Sequence, residues 1–380
     1  MERIRALDTI RGACMWIMIY GHMADWWLRP EDYWLRQWLY GFLESLIVGF
    51  LFISGVSTAL AFKSNQLKLQ GLKNSNMLIK NVYFLRAFFI ILIALIYNFF
   101  VAVLWGGDIT DLWSWLVLQT IGFSLILCWP FLRTSRNFRI SFGILILIVN
   151  QLILSFLMGG PYKDLSNIYG IIYHILYNPI SQFPILAYFS IILIGTALGD
   201  KIFEINIIRN QEERKQLFKE KLIKPLFLIG ASLLIFGIVF FYPELFILPE
   251  VYFSNPNIFM NTISAFAYSI GIILMAIAFF MKVQIFEVIK TKKSYRYLFF
   301  YSYYSFTIYL AHNLLYFLFP GQLNSVTIWI AIIGGSIIFG FLFRIIYTKL
   351  GKKASLKTGI GILSLIIARK LYNAKKETKL

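Results

Sequence analysis

The first apolar stretch of the chain, residues 6–27, has the length of a membrane helix but contains Asp8, Arg11, His22 and Asp25. A helix that crosses a membrane needs about 20 predominantly apolar residues. An arginine at the centre of such a helix costs about 2.5–3.5 kcal/mol on insertion scales, so it is expected to face a polar interior. The stretch therefore predicts a membrane helix that lines a polar cavity or a site.

Helical geometry relates the two largest polar side chains of this stretch. At about 100° and 1.5 Å per residue, Arg11 and His22 lie about 20° apart around the axis and about 16 Å apart along it. Asp8 and Asp25 lie near the same face. An alternative for Arg11 is that its side chain reaches the cytoplasmic lipid headgroups while paired with Asp8. His22 lies too far along the helix for the same explanation, which favours a site.

Composition extends this interpretation to the whole chain. Of the 380 residues, 59% are hydrophobic and 14% are charged, whereas soluble proteins contain about 25% charged residues. We therefore predict an all-α integral membrane protein with about ten membrane-spanning helices. Their approximate limits are 6–27, 38–62, 82–104, 113–132, 140–158, 184–200, 225–241, 259–281, 298–318 and 326–348.

The distribution of basic residues predicts the orientation. If the amino terminus is cytoplasmic, the cytoplasmic segments contain 30 of the 36 Lys and Arg residues, and the outer segments contain Arg29, Arg36 and Lys163. Cytoplasmic loops of membrane proteins carry such an excess, so both termini are predicted to be cytoplasmic. The net charge of +18 is then a topology signal within membrane lipid, and nucleic acid is not an expected partner.

The chain is expected to form one polytopic membrane domain, 1–348, followed by a basic cytoplasmic tail, 349–380. The tail contains a short apolar run, 360–368, which is too short to span and is expected on the inner leaflet. The outer segment 159–183 is expected to form a lid or a re-entrant piece. The inner segment 201–224 alternates charges and is expected to be a solvated helix.

Further polar residues at membrane depth extend the candidate site. Glu44 in the second predicted span lies at a depth similar to His22 if the first two helices form a hairpin, and a carboxylate there would orient the imidazole. Asp25 is the rival partner. His312 lies in the outer half of the ninth predicted span, where it is either part of the site or a packed residue. The pattern of histidines and cysteines predicts no metal site.

Two arginines in predicted cytoplasmic halves, Arg11 and Arg86, are candidates for binding phosphates, because a guanidinium group binds phosphate oxygens bidentately. For Arg86 the alternative is an interaction with lipid headgroups.

The chain resembles the catalytic domain of heparan-alpha-glucosaminide N-acetyltransferases and their prokaryotic relatives, within a superfamily of transmembrane acyltransferases. The resemblance rests on the order and spacing of four stretches. They are RIRALDTIRG, FLESLIVGFLFISGVS with Glu44 and Gly55, FPILAYFSIILIGTALGD with Pro184, Gly195 and Gly199, and YSFTIYLAHNLLYFLFP with His312.

The resemblance implies transfer of an acetyl or other short acyl group from acetyl-CoA or another acyl-CoA to a sugar of a glycolipid or surface glycan. The guanidinium chemistry described above places the phosphates of the acyl-CoA near Arg11 and Arg86. The spacing from Arg11 to His22 is similar to an Arg–His pair of sugar O-acyltransferases of this superfamily. The N-acetyltransferases have a catalytic histidine in the loop that follows, whereas residues 23–43 contain no histidine. His22 is therefore expected to be the general base or to carry the acetyl group itself, and the acceptor group is an amine or a hydroxyl.

Two other classes of function are compatible with the residues alone. A transporter or flippase of a lipid-linked sugar would use the same polar cavity without covalent chemistry. A structural or assembly protein would leave Arg11 and His22 without a role.

Overall fold

The computed structural model describes residues 3–71, 74–104, 112–158, 166–177, 183–247, 262–288 and 296–377, apart from some side chains within them. The helices in this part of the chain are α1 (Arg5–Trp27), α2 (Tyr33–Lys68), α3 (Ser75–Leu104), α4 (Val117–Phe131), α5 (Arg136–Met158), α6 (Ile168–Leu176), α7 (Ile185–Asn206), α8 (Gln211–Phe218), α9 (Lys224–Ile247), α10 (Ile263–Ile285), α11 (Arg296–Tyr303), α12 (Ser305–Ala311), α13 (Thr327–Lys349) and α14 (Leu356–Glu377).

The predicted all-α class is confirmed, since the described residues contain helices and one isolated β-bridge between Leu28 and Leu323. Six helices of the described part are long and apolar enough to cross a membrane. The number of ten spans and the cytoplasmic termini stay predictions. The six candidate spans are Ser75–Leu104, Arg136–Ile153, Ile185–Asn206, Gln211–Phe240, Ile263–Ile285 and Thr327–Lys349. The fourth of them includes α8 and most of α9.

Helix ends differ from the predicted limits where polar residues continue a helix. Between the predicted spans 113–132 and 140–158, α5 already begins at Arg136, and Arg139 is a buried helical residue. Within 201–224, which was predicted to be a solvated helix, α7 continues to Asn206 and α8 begins after Asn210. Because α8 also belongs to the candidate span Gln211–Phe240, its solvation stays a prediction. The Asn210 side chain accepts hydrogen bonds from the backbone N–H groups of Glu212 and Glu213 at 3.0 and 3.2 Å, as an N-cap residue does.

Other segments of the prediction are described in part. Within 159–183, α6 is an ordered helix whose residue Ile175 accepts hydrogen bonds from the indoles of Trp113 and Trp115. Residues 159–165 and 178–182 lie outside the described residues, so the lid or re-entrant prediction stays open. The tail forms α14, a helix longer than the apolar run 360–368.

The chain divides into two compact units. The first comprises residues 1–50, 208–247 and 266–359, and the second comprises residues 51–207, 248–265 and 360–380, so that the division falls within α2.

In the first unit, α1 packs closely on α11. A Cβ atom at Gly12 would overlap the carbonyl group of Leu298, so the absence of a side chain allows the two backbones to approach. Further along α1, the Tyr20 hydroxyl lies 3.1 Å from the Tyr301 hydroxyl, and the Trp16 indole donates to the Tyr297 hydroxyl at 3.2 Å. These contacts fix α1 against the helix that leads towards His312.

In the second unit, the glycines of the resemblance motifs lie where α2 and α7 cross. A Cβ atom at Gly55 would overlap the carbonyl group of Ile192, and one at Gly195 would overlap the carbonyl oxygen of Phe52. Small residues at such a crossing let membrane helices pack by close backbone contact. Helix packing therefore explains why glycine occupies these motif positions, without any role in chemistry.

Candidate functional site

The structure brings His22 and His312 together within the first unit. Their ring centroids lie 5.0 Å apart with an angle of 35° between the ring planes. His22 belongs to α1 and is partly exposed, whereas His312 is 5% exposed. The two residues that the sequence placed separately in outer halves of membrane helices thus form one pair of imidazoles.

The helix that leads to His312 is interrupted twice. Tyr304 separates α11 from α12, and a 3₁₀ segment begins at His312 and ends at Phe317. Short 3₁₀ stretches inside a helical region often mark functional positions. The predicted continuous helix over 298–318 is therefore divided into α11, α12 and this 3₁₀ segment, and His312 stands where the 3₁₀ segment begins.

A backbone hydrogen bond orients the His312 ring. Its Nδ1 atom lies within hydrogen-bond distance of the carbonyl oxygen of Tyr309. Because a carbonyl oxygen only accepts hydrogen bonds, Nδ1 carries the proton and Nε2 of the neutral ring keeps its lone pair. His312 therefore has a defined tautomer and a defined orientation against His22.

Trp26 and Tyr316, together called the ring pair here, extend the site beyond the histidines. The Trp26 ring is stacked on His22 with centroids 5.0 Å apart, and it lies 5.8 Å from His312. Tyr316 meets Trp26 edge to face at 5.9 Å and 85°. Both ring-pair residues are partly exposed, so the histidines have an aromatic and accessible border on this side.

The opposite end of α1 carries a different kind of polar group. Arg11 is 8% exposed, and its guanidinium lies 3.7 Å from the Asp8 carboxylate, which also pairs with Arg3 at 2.8 Å. Arg11 is thus a buried cation near the amino-terminal end of the helix, and its pairing with Asp8 agrees with the alternative in which Arg11 contacts lipid headgroups as well as with a site.

The face of α1 between these ends is not uniformly open. Met15 is 1% exposed, whereas Met18, His22 and Asp25 are all partly exposed. This face is therefore covered around Arg11 and Met15 and partly accessible on both sides of them, at Asp8 and in the carboxyl-terminal half of α1.

The remaining predicted site residues are placed as follows. Asp25 lies one turn after His22 on α1. Position 44 belongs to α2, but the Glu44 side chain lies outside the described residues, so its pairing with His22 stays a prediction. Arg86 is an exposed residue of α3 in the second unit, where a Cβ atom at Gly361 of α14 would lie 3.0 Å from its Nη2 atom. The third histidine of the chain, His174, was not a predicted site residue and lies in α6 of the second unit.

The sequence prediction missed a second buried polar centre. In the second unit, the Arg139 guanidinium pairs with the Asp200 carboxylate and donates a hydrogen bond to the Thr196 hydroxyl at 3.0 Å. Arg139 is 0% exposed. A signal was present, since both residues stand at the inner limits of predicted spans, 140–158 and 184–200, and therefore at equal expected depth.

The described residues contain no group of three His, Cys, Asp or Glu side chains that could hold a metal ion. They form a multi-pass membrane protein of α-helices, in which the partly exposed His22 lies against the buried His312. The family model described as heparan-alpha-glucosaminide N-acetyltransferase, catalytic, matches residues 3–241. This match covers more than half of the chain, and the chain belongs to that family, which implies a membrane acetyltransferase. A search among curated proteins gave no match.

The matched residues include Arg11, His22 and Arg86 but end before His312. The suspected family is therefore confirmed, while the inclusion of His312 in the site rests on its contact with His22.

Proposed function

We propose that this protein transfers an acetyl group from cytoplasmic acetyl-CoA to an amine or hydroxyl group of a sugar acceptor, part of a glycolipid or surface glycan, at the cell membrane. The observation that carries the proposal is the contact between His22 and His312 on the accessible side of α1, in a chain of an acetyltransferase family. No cofactor other than the acetyl-CoA substrate and no metal is required.

His22 is the proposed catalytic residue because it is the more accessible member of the pair. As general base it accepts a proton from the acceptor group while that group attacks the thioester carbonyl carbon. The bond from this carbon to sulfur breaks, a bond from it to nitrogen or oxygen forms, and the proton passes to the CoA thiolate. General-base catalysis of this kind typically contributes about 10²–10⁴-fold to the rate.

A covalent route uses the same residues. The unprotonated nitrogen of His22 attacks the thioester carbon and CoA thiolate leaves, which gives an acetyl-imidazole. The acceptor then attacks this acetyl group and His22 is regenerated. An acyl-histidine would form without acceptor, so labelling of the protein by [¹⁴C]acetyl-CoA alone distinguishes this route from direct transfer.

His312 is proposed as a positioning residue. Its Nδ1–H is engaged with the Tyr309 carbonyl, so its ring is held in place and limits the orientations of the His22 ring. Glu44 and Asp25 are the proposed carboxylate partners of His22, and a carboxylate beside an imidazole raises its basicity.

Arg11 is proposed to bind phosphate groups of acetyl-CoA, supported by Asp8. Its guanidinium lies on the same helix as His22, about 16 Å away along the axis by helical rise, so an extended donor would present phosphate and thioester to the two ends of α1. Arg86, in the second unit, is a further proposed phosphate-binding residue. This part of the proposal rests on the sequence prediction alone.

The proposal is tested with the purified protein in detergent, [¹⁴C]acetyl-CoA, and glucosamine as the acceptor probe. We expect labelled product and release of CoA thiol in equal amounts, and we expect His174→Ala to retain this activity. Absence of both thiol release and product would contradict the proposal. Uptake of a labelled lipid-linked sugar by proteoliposomes without acetyl-CoA would support the transporter instead.

The orientation is tested by labelling a single cysteine at position 212 of α8, in a variant in which Cys14 and Cys128 are replaced by alanine. The charge distribution predicts that an impermeant maleimide does not label Glu212→Cys in intact cells and labels it after permeabilisation. Labelling in intact cells would reverse the topology and the proposed route of acetyl-CoA.

A further inference from the structure

The ring pair, Trp26 and Tyr316, has no role in the proposed acetyl transfer, although Trp26 lies directly against both histidines. Its centroid is 5.0 Å from that of His22 and 5.8 Å from that of His312. A tryptophan in this position with partial exposure offers aromatic surface to a molecule that reaches His22. An aromatic surface beside a catalytic imidazole is a candidate for binding the substrate that the imidazole must deprotonate.

The backbone around the ring pair is held by a short set of main-chain hydrogen bonds, the clasp, between residues 26–29 and 321–323. The Trp26 carbonyl accepts from the Gly321 N–H at 2.9 Å, and the Trp27 carbonyl accepts from the Leu323 N–H at 2.7 Å. The Arg29 N–H donates back to the Leu323 carbonyl at 2.9 Å. The clasp joins the end of α1 to the segment after the His312 turn, so the ring pair is organised before a ligand binds, which lowers the cost of binding.

The ring pair also has suitable chemistry for an amino sugar. The face of an aromatic ring carries negative potential, and the C–H groups along one face of a pyranose are apolar and weakly positive at hydrogen. A protonated amine is attracted to the same ring face, most strongly to that of tryptophan. Tyr316 adds a second aromatic ring beside Trp26, with centroids 5.9 Å apart. An aliphatic side chain would provide apolar area without these electrostatic terms.

We propose that Trp26 and Tyr316 form the acceptor subsite, which binds one pyranose ring of an amino sugar beside His22. The inference rests on the proposed function, because it assigns the acceptor of that reaction to one border of the histidine pair. It makes the ring pair the determinant of acceptor affinity and leaves donor affinity to other residues.

Steady-state kinetics with acetyl-CoA and glucosamine test the subsite in Trp26→Phe, Trp26→Leu and Tyr316→Leu. We expect the two leucine variants to raise the KM for glucosamine about tenfold, as the loss of a ring–cation or stacking contact predicts. Trp26→Phe should keep most of the affinity because the aromatic face remains. The KM for acetyl-CoA should change less than about twofold.

The matched control is Trp34→Leu, since Trp34 is 59% exposed and belongs to α2 rather than to the ring pair. It removes a tryptophan near the same end of α1 and should leave both KM values unchanged. If the KM for glucosamine is unchanged in Tyr316→Leu and Trp26→Leu, the subsite is wrong. If Trp26→Leu fails to fold, Tyr316→Leu decides alone, because Tyr316 touches Trp26 at its edge and does not stack on a histidine.

Calorimetric titration of glucosamine into the protein without acetyl-CoA separates this inference from the proposed reaction. Binding to the wild type that weakens about tenfold in both leucine variants supports the subsite even in the absence of any transfer. Transfer by the wild type with unchanged glucosamine affinity in the leucine variants would leave the reaction standing and overturn the subsite. Absence of glucosamine binding to the wild type would also overturn it.

Discussion

The two buried polar centres of this protein differ in access and charge. In the first unit, His22 and His312 face each other among aromatic rings, and His22 is partly exposed. In the second unit, Arg139 pairs with Asp200, and their side chains are 0% and 7% exposed. Both centres place costly groups in an apolar environment, but only the histidine centre offers a side chain to a ligand.

The difference teaches that burial alone does not identify a site in a membrane protein. A charged pair that is fully enclosed is compensated internally, and removal of one partner leaves an uncompensated buried charge. Uncharged imidazoles need no such compensation, so one of them is free to remain accessible for proton or acyl transfer. We therefore propose that the histidine centre carries the chemistry and that the Arg139–Asp200 centre contributes to stability.

The largest expected effect is on the histidine centre. His22→Ala should lower turnover about 10²–10⁴-fold while the unfolding temperature stays near that of the wild type. His312→Ala should lower turnover less, because it removes the residue that orients His22 and leaves the base. Turnover and thermal unfolding in detergent measure both. Near-normal turnover of His22→Ala together with an inactive His312→Ala would show that His312 is the catalytic residue and His22 is not.

The second effect is on stability alone. Arg139→Met leaves the Asp200 carboxylate buried without its partner and should cost about 3–5 kcal/mol. The double variant Arg139→Met, Asp200→Leu removes both charges and should recover most of this loss. Denaturant unfolding in detergent measures the stability, and turnover per folded protein should stay unchanged. A stable but inactive Arg139→Met variant would show that the Arg139–Asp200 centre belongs to the active site.

A smaller effect is expected where glycines set the distance between helices. A Cβ atom at Gly12 would overlap Leu298, and one at Gly195 would overlap Phe52, so each Ala variant should lose about 1–3 kcal/mol by overpacking. Only Gly12→Ala should also lower turnover, because it displaces the helix leading to His312. The control is Gly334→Ala, where a Cβ atom meets no atom within 4 Å. Equal turnover of Gly12→Ala and Gly195→Ala would show that the packing at Gly12 has no special importance for activity.

The smallest effect concerns the donor end of α1. Arg11→Lys keeps a positive charge but loses the planar guanidinium, so acetyl-CoA affinity should fall about tenfold, or about 1.4 kcal/mol. The turnover of the saturated enzyme should change less. Equilibrium binding of acetyl-CoA to Arg11→Lys and Arg11→Ala measures the effect. Unchanged acetyl-CoA affinity in both variants would indicate instead that Arg11 contacts lipid headgroups.

Much of the fold follows from local sequence pattern. Apolar runs predict the helices because the backbone in a membrane must satisfy its hydrogen bonds internally, and the described helices lie close to the predicted ranges. The pattern fails at ends such as Arg136–Arg139, where charged residues continue a helix and pair with distant carboxylates, Arg136 with Glu204 and Arg139 with Asp200. No local signal contains these partners, since Asp200 lies 61 positions after Arg139.

The sequence by itself determined that Arg11 and His22 share one face of α1, because helical periodicity fixes the direction of every side chain along one element. It also placed His312 in the ninth predicted membrane helix. Only the tertiary structure decided that His312 meets His22. That contact joins residues 290 positions apart, and it accompanies the close approach of α1 to α11 at Gly12, because packing between distant segments is not contained in any local pattern.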